Sequence, residues 1–152
     1  MRIGQRWTWW RERRRFHPPD EIHRAGELAE QRLAKISRAA GKANGWRIFE
    51  SVRIPDVEQG GKREIDMVVV GGNTMLVVEQ KHWSGSFEIN QNEEFIQHRK
   101  NGTTHNHSTV NQRISRKARM LLAMHQERVA RADEIDVRVV LAFTNRNLDW
   151  PT

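Results

Sequence analysis

Apolar positions recur along the chain with two periods, and the switches between them mark the elements. Over residues 20–41, Ala29, Leu33, Ile36 and Ala40 fall on one stripe at helical spacing. Asp20 stands where a helix is capped and Gly41 just past its end. From Trp46 to Ile54 the period drops to two, with Trp46, Ile48, Val52 and Ile54 alternating as in a strand. A polar loop, Asp56–Lys62, follows. Glu64–Val70 and Thr74–Lys81 are rich in Val, with Gly71-Gly72-Asn73 between them, which predicts a hairpin. Ser84–Ile89 reads as a further short strand. Residues 90–108 are polar, with Asn101-Gly102 as a turn. Residues 110–131 predict a second helix whose apolar side holds Ile114, Ala118, Leu121, Leu122 and Val129. Ile135, Val137, Val139, Leu141 and Phe143 alternate as a final strand.

The order is therefore helix, three or four strands, helix, strand. Short turns make the early strands antiparallel. The last strand arrives after a long helix and can join in parallel. This predicts an α/β domain, a mixed β-sheet flanked by α-helices, over residues 21–152. Residues 1–20 read as a separate arm. There Trp7, Trp9 and Trp10 neighbour Arg11, Arg13, Arg14 and Arg15, and Pro18 and Pro19 close the segment. Tryptophans among arginines suit stacking on bases with phosphate neutralisation, and equally a packing or partner contact, with either a second copy or another protein.

Charge sharpens the picture. The net charge is +7, but residues 1–15 and 112–131 each carry +5, leaving a mildly acidic centre between two basic segments. A site that holds a cation while gripping a polyanion needs this distribution. The chain has no cysteine, which excludes disulfides and thiolate-bound zinc. No apolar run is long enough to span a membrane, and the Arg-rich start lacks the apolar stretch of a secretory signal. The expectation is a cytoplasmic protein without membrane contact. His98, His105 and His107 lie in the polar region, off any predicted helix or strand face. They read as loop histidines near a phosphate groove rather than as a zinc site.

The hairpin carries the chemistry. Glu79 and Lys81 are two apart on one strand and share a face with Met75 and Val77. A mostly apolar face that ends in Glu and Lys needs a reason, because burying unpaired charge is costly. Asp66, on the neighbouring strand with Val68 and Val70, can approach Glu79. Two such carboxylates repel, and a divalent cation removes the conflict. An ion held by Asp66 and Glu79 would polarise a phosphodiester and lower the pKa of a bound water, with Lys81 adding positive charge to the reacting centre. The competing reading is a cross-strand Asp66–Lys81 salt bridge at a sheet edge.

Ile65-Asp66-Met67-Val68-Val69-Val70-Gly71-Gly72 and Leu76-Val77-Val78-Glu79-Gln80-Lys81-His82-Trp83-Ser84-Gly85 together resemble the nuclease-related domain family, within the PD-(D/E)XK nucleases. Gly26-Glu27-Leu28-Ala29-Glu30-Gln31-Arg32-Leu33 is similar to the family's first helix, Asn111-Gln112 to the opening of its later helix, and Val139–Asn145 to its closing strand. The resemblance spans roughly residues 22–147 and leaves out the arm. It implies a restriction-endonuclease-like core that hydrolyses DNA with Mg2+ or Mn2+, with Asp66, Glu79 and Lys81 as catalytic residues. It also implies a helix glutamate among the metal ligands. Glu27 and Glu30 are both available, and Glu30 is favoured because it sits at the margin of the buried stripe. Gln112 is the candidate glutamine. Arg113, Arg116, Lys117, Arg119 and Trp83 are the expected nucleic-acid contacts. Two other functions stay open. One is a binding module without catalysis. The other is a nuclease subunit that docks through the arm on a larger DNA-processing or defence assembly.

Overall fold

The computed structural model describes residues 21–129 and 134–150; the arm, and the end of the expected second helix, lie outside them. The first helix, α1, is Glu21–Asn44. It is longer than the apolar stripe suggests, because Gly41 lies inside it. The helix ends instead at Gly45, whose φ is +71°, and the N–H of Trp46 bonds back to the Gly41 carbonyl at 2.9 Å. Gly41 serves close packing: a Cβ there would come within 2.9 Å of the Ile48 side chain. The buried stripe is also narrower than expected. Ala29 is buried, but Ile36 is 67% exposed.

Strands β1 (Arg47–Pro55), β2 (Lys62–Gly71) and β3 (Thr74–Lys81) follow as an antiparallel meander. The β2–β3 hairpin turns through Gly72 and Asn73, with Gly71 paired to Thr74. Strand β7 (Asp136–Phe143) joins β3 in parallel, giving the order β1-β2-β3-β7. The second helix, α2 (Val110–Arg128), supplies the crossover. It buries Ile114, Ala118 and Met120 against Ile54, Ile65, Val68, Met75 and Val77. Leu121 is only partly buried at that core, and Val129 is exposed.

The polar stretch 90–108 is more ordered than its composition indicates. It holds β5 (Phe95–His98) and β6 (Thr104–His107), joined by the Asn101-Gly102 turn. With β4 (Gly85–Ile89) and β8 (Leu148–Asp149) they form a second four-stranded mixed sheet, ordered β6-β5-β4-β8. His98, His105 and His107 are thus strand residues, not loop residues. Strand β6 was hidden because its four residues are all polar and mostly exposed, so no apolar alternation marks it. Phe87, Phe95 and Leu148 make a second core that reaches Phe143 on β7 and so ties the two sheets together. Among the described residues, two mixed four-stranded sheets with two helices constitute a restriction-endonuclease-like α/β fold. Among the described residues no helix is long and apolar enough to cross a membrane.

Candidate active site

The site forms where the β2–β3 hairpin opens. The ladder runs from Gly71–Thr74 to Met67–Val78 and stops there, one step before Asp66 would face Glu79. In place of a further rung, the Asp66 carboxylate accepts the N–H of Gln80 through Oδ2 at 2.7 Å. The opening coincides with a break in alternation on both β1 and β2. Ser51, opposite Asp66, has φ +49°. Glu50 and Ser51 open into one recess together with Asp66 and Met67, while Val52 and Ile65 turn to the core on the other side. The expectation that Asp66 shares a face with Val68 and Val70 is therefore corrected. The paired irregularity swings Asp66 away from Val68, which stays in the core.

This places the two carboxylates on different recesses. Asp66 lines a cavity of about 300 Å3 beneath α1, with Glu30, Glu50, Glu64, Met67 and Gln80. The one cation in this lining, Arg38, is held by Glu50 at 2.6 Å. Glu79 lines a larger recess of about 590 Å3 beneath α2, with Lys62, Arg63, Arg113, Arg116 and Lys117. Glu64 borders both. An acidic recess thus adjoins a basic one across the open end of the hairpin.

The carboxylates differ in how their charge is met. Burial pushes the pKa of Asp66 up. The Gln80 N–H opposes this, the Glu79 charge adds to it, and both lysines oppose it further, leaving a net rise. Glu30 is also raised, by burial first and then by Asp66, Glu64, Glu27 and Glu79. Burial would raise Glu79 as well. Instead Lys117 donates to its Oε2 at 2.7 Å and Lys81 to its Oε1 at 3.0 Å, and together they hold it below the ordinary carboxylate range. Lys81 thus pairs with the glutamate of its own strand, and the expected alternative bridge to Asp66 does not form.

The remaining sequence candidates fall unevenly. Glu30 lines the acidic recess; Glu27 is exposed and outside it. Gln112 is exposed and lines neither recess. Arg113, Arg116 and Lys117 line the basic recess, whereas Arg119 is exposed beyond it. Trp83 packs in an aromatic group, stacked on His107 at 3.8 Å and tilted against Phe143. His107 is pushed down to about 4, by burial and then by His105, Arg99 and Lys81, so a neutral ring stacks there at neutral pH. Glu64, Lys62, Arg63 and the buried Asp56 were not singled out from sequence. Asp56 accepts from Arg63, from Arg116 and from the N–H groups of Glu58 and Gln59. The Asx-type signal of an aspartate opening a Gly-Gly loop was available for it.

Among the described residues, no three His, Asp or Glu side chains are gathered closely enough to enclose an ion as they stand. The donor chemistry nevertheless suits a hard divalent cation. Asp66 keeps Oδ1 free of the Gln80 bond, and its neighbour Glu30 shares its excess of negative charge.

The family model described as nuclease-related domain matches residues 25–144. The chain belongs to the nuclease-related domain family. No curated protein matches the chain. The nuclease-related match contains all of α2, α1 except its start at Glu21–Arg24, and every residue of the hairpin site. It leaves the Trp/Arg arm outside.

Proposed function

We propose that this domain is a metal-dependent deoxyribonuclease. The observation that carries the reading is the junction of an acidic recess with a basic one at the open hairpin. A phosphodiester backbone needs positive charge to lie in, and its hydrolysis needs a cation beside it. Asp66 and Glu30, with Glu79 once released by its lysines, would hold Mg2+ or Mn2+. When bound, the ion polarises the phosphate and acidifies water. Arg113, Arg116 and Lys117, with Lys62 and Arg63 on β2, provide the bed for the backbone. Lys81, at the end of β3, places a point charge where negative charge grows on the phosphate as the water oxygen bonds to phosphorus and the leaving oxygen departs.

One feature favours a second reading, nucleic-acid binding without chemistry. Both Glu79 oxygens are occupied by ammonium groups, so the carboxylate is not poised for an ion. Incubating the purified chain with plasmid and linear DNA in Mg2+, Mn2+ or EDTA separates the two. Cleavage that depends on the ion supports the nuclease. Retarded but intact DNA under every condition supports the binding module.

A further inference from the structure

Lys117 is placed for more than backbone binding. It lies on the α2 stripe Arg113–Arg116–Lys117–Met120, which faces the basic recess. Arg116 is fixed from the other side by Asp56 and Glu58. Lys117, by contrast, has Glu79 as its one ion-pair partner among the described residues, at 2.7 Å with both side chains about 17% exposed. Glu79 therefore carries two ammonium groups, while among the described residues Asp66 and Glu30 beside it carry none. Two cations on one carboxylate repel each other, and one suffices to neutralise it. The second is a spare charge on a flexible four-carbon stem, which can swing without moving the helix.

We propose that Lys117 is an internal counter-ion of the active site: it pairs with Glu79, yields that carboxylate to a divalent cation, and turns to the phosphate in the basic recess. This rests on the nuclease reading for its last step only. The exchange would let a site whose described residues form no acidic cage take up an ion. The cation displaces an ammonium group instead of filling a void, and the displaced charge is delivered where the substrate lies. Lys81, whose backbone is fixed in β3, stays with the chemistry.

The test uses the full chain with Lys117→Gln and Lys117→Met, two substitutions of similar length, each first shown to be folded by its thermal melt. Mn2+ alone is titrated calorimetrically without DNA. Removing a charge-assisted hydrogen bond that competes for Glu79 should tighten Mn2+ binding by about tenfold. In Mg2+, kcat on duplex DNA should fall by at least a similar factor, because the phosphate loses the delivered charge. Unchanged or weaker Mn2+ affinity in both folded variants overturns the proposal, even if wild type cleaves normally and the nuclease reading stands. Tighter Mn2+ binding with a wild type that cleaves no DNA upholds the exchange and removes the nuclease reading instead.

Discussion

In the proposed nuclease, Asp66 is the residue at which stability and function pull apart. Its raised pKa means that the ionised carboxylate costs more in the folded chain than in the unfolded one. The sign follows. The cost is absent below the ordinary aspartate range and fully present once pH exceeds the raised folded value. Asp66→Asn keeps an oxygen for the Gln80 N–H and removes the charge. The variant should melt higher than wild type at neutral pH in EDTA, by roughly 2–4 °C for each kcal/mol relieved, and the gap should close in acid. The same variant should lose both cleavage and Mn2+ binding. Equal Mn2+ affinity in wild type and Asp66→Asn, read by calorimetry, would remove Asp66 from the metal site. Lys81 makes the complementary case. Lys81→Ala should abolish cleavage while leaving DNA affinity nearly intact, since one charge among many contributes little to binding. Lys81→Arg should also cleave poorly, because a guanidinium is broader than a point charge. Cleavage at the wild-type rate by Lys81→Ala would leave the Glu79–Lys81 pair a purely structural ion pair.

At the scale of elements, the hairpin was legible because its signals agree: two Val-rich runs, a Gly-Gly-Asn turn and three charged residues at their far ends. The break across Ser51 and Asp66 was not. The break is a backbone event that leaves the residue count of both strands equal, so no sequence period records it. Glycine in the Trp-Ser-Gly run has a structural cause that spacing could not reveal. Gly85 has φ +86°, and a Cβ there would collide with the His98 carbonyl on β5. The Asp56 bridge was equally hidden, since it joins the β1–β2 loop to Arg116, sixty residues away. It fixes α2 and therefore the position of Lys117. The hydrogen bond from Arg63 leads the groups that hold Asp56 below the usual aspartate range. A depressed folded pKa gives stability above the unfolded value that is lost as pH falls through the folded one. Asp56→Asn should therefore melt lower than wild type at neutral pH, and the difference should shrink steadily below about pH 4. A pH-independent difference would show that the bridge acts through packing alone.

For the whole molecule, the placement of positive charge would decide how nucleic acid lies in the proposed nuclease. Sequence alone grouped Arg113, Arg116, Lys117 and Arg119 as one basic helix. The fold divides them. Arg113 opens into the recess beside Glu79, Arg116 does so while braced by Asp56, and Arg119 is exposed beyond it. Helical geometry enforces the split, because a residue six positions on from Arg113 points well around the cylinder. If DNA lies in the basic recess, each lost phosphate contact lowers the log–log salt slope of binding by about 0.9 on duplex, or about 0.7 on single strands. Arg113→Ala should therefore flatten the slope by roughly one contact with little change in melting temperature. Arg119→Ala removes the same charge from the same helix and should leave the slope unchanged. Measuring both on the full chain keeps the contribution of the basic arm constant, so the difference reports the recess itself. Equal flattening by the two variants would mean that α2 attracts DNA only as a diffuse positive rod. The recess beside Glu79 would then lose its claim to the scissile phosphate.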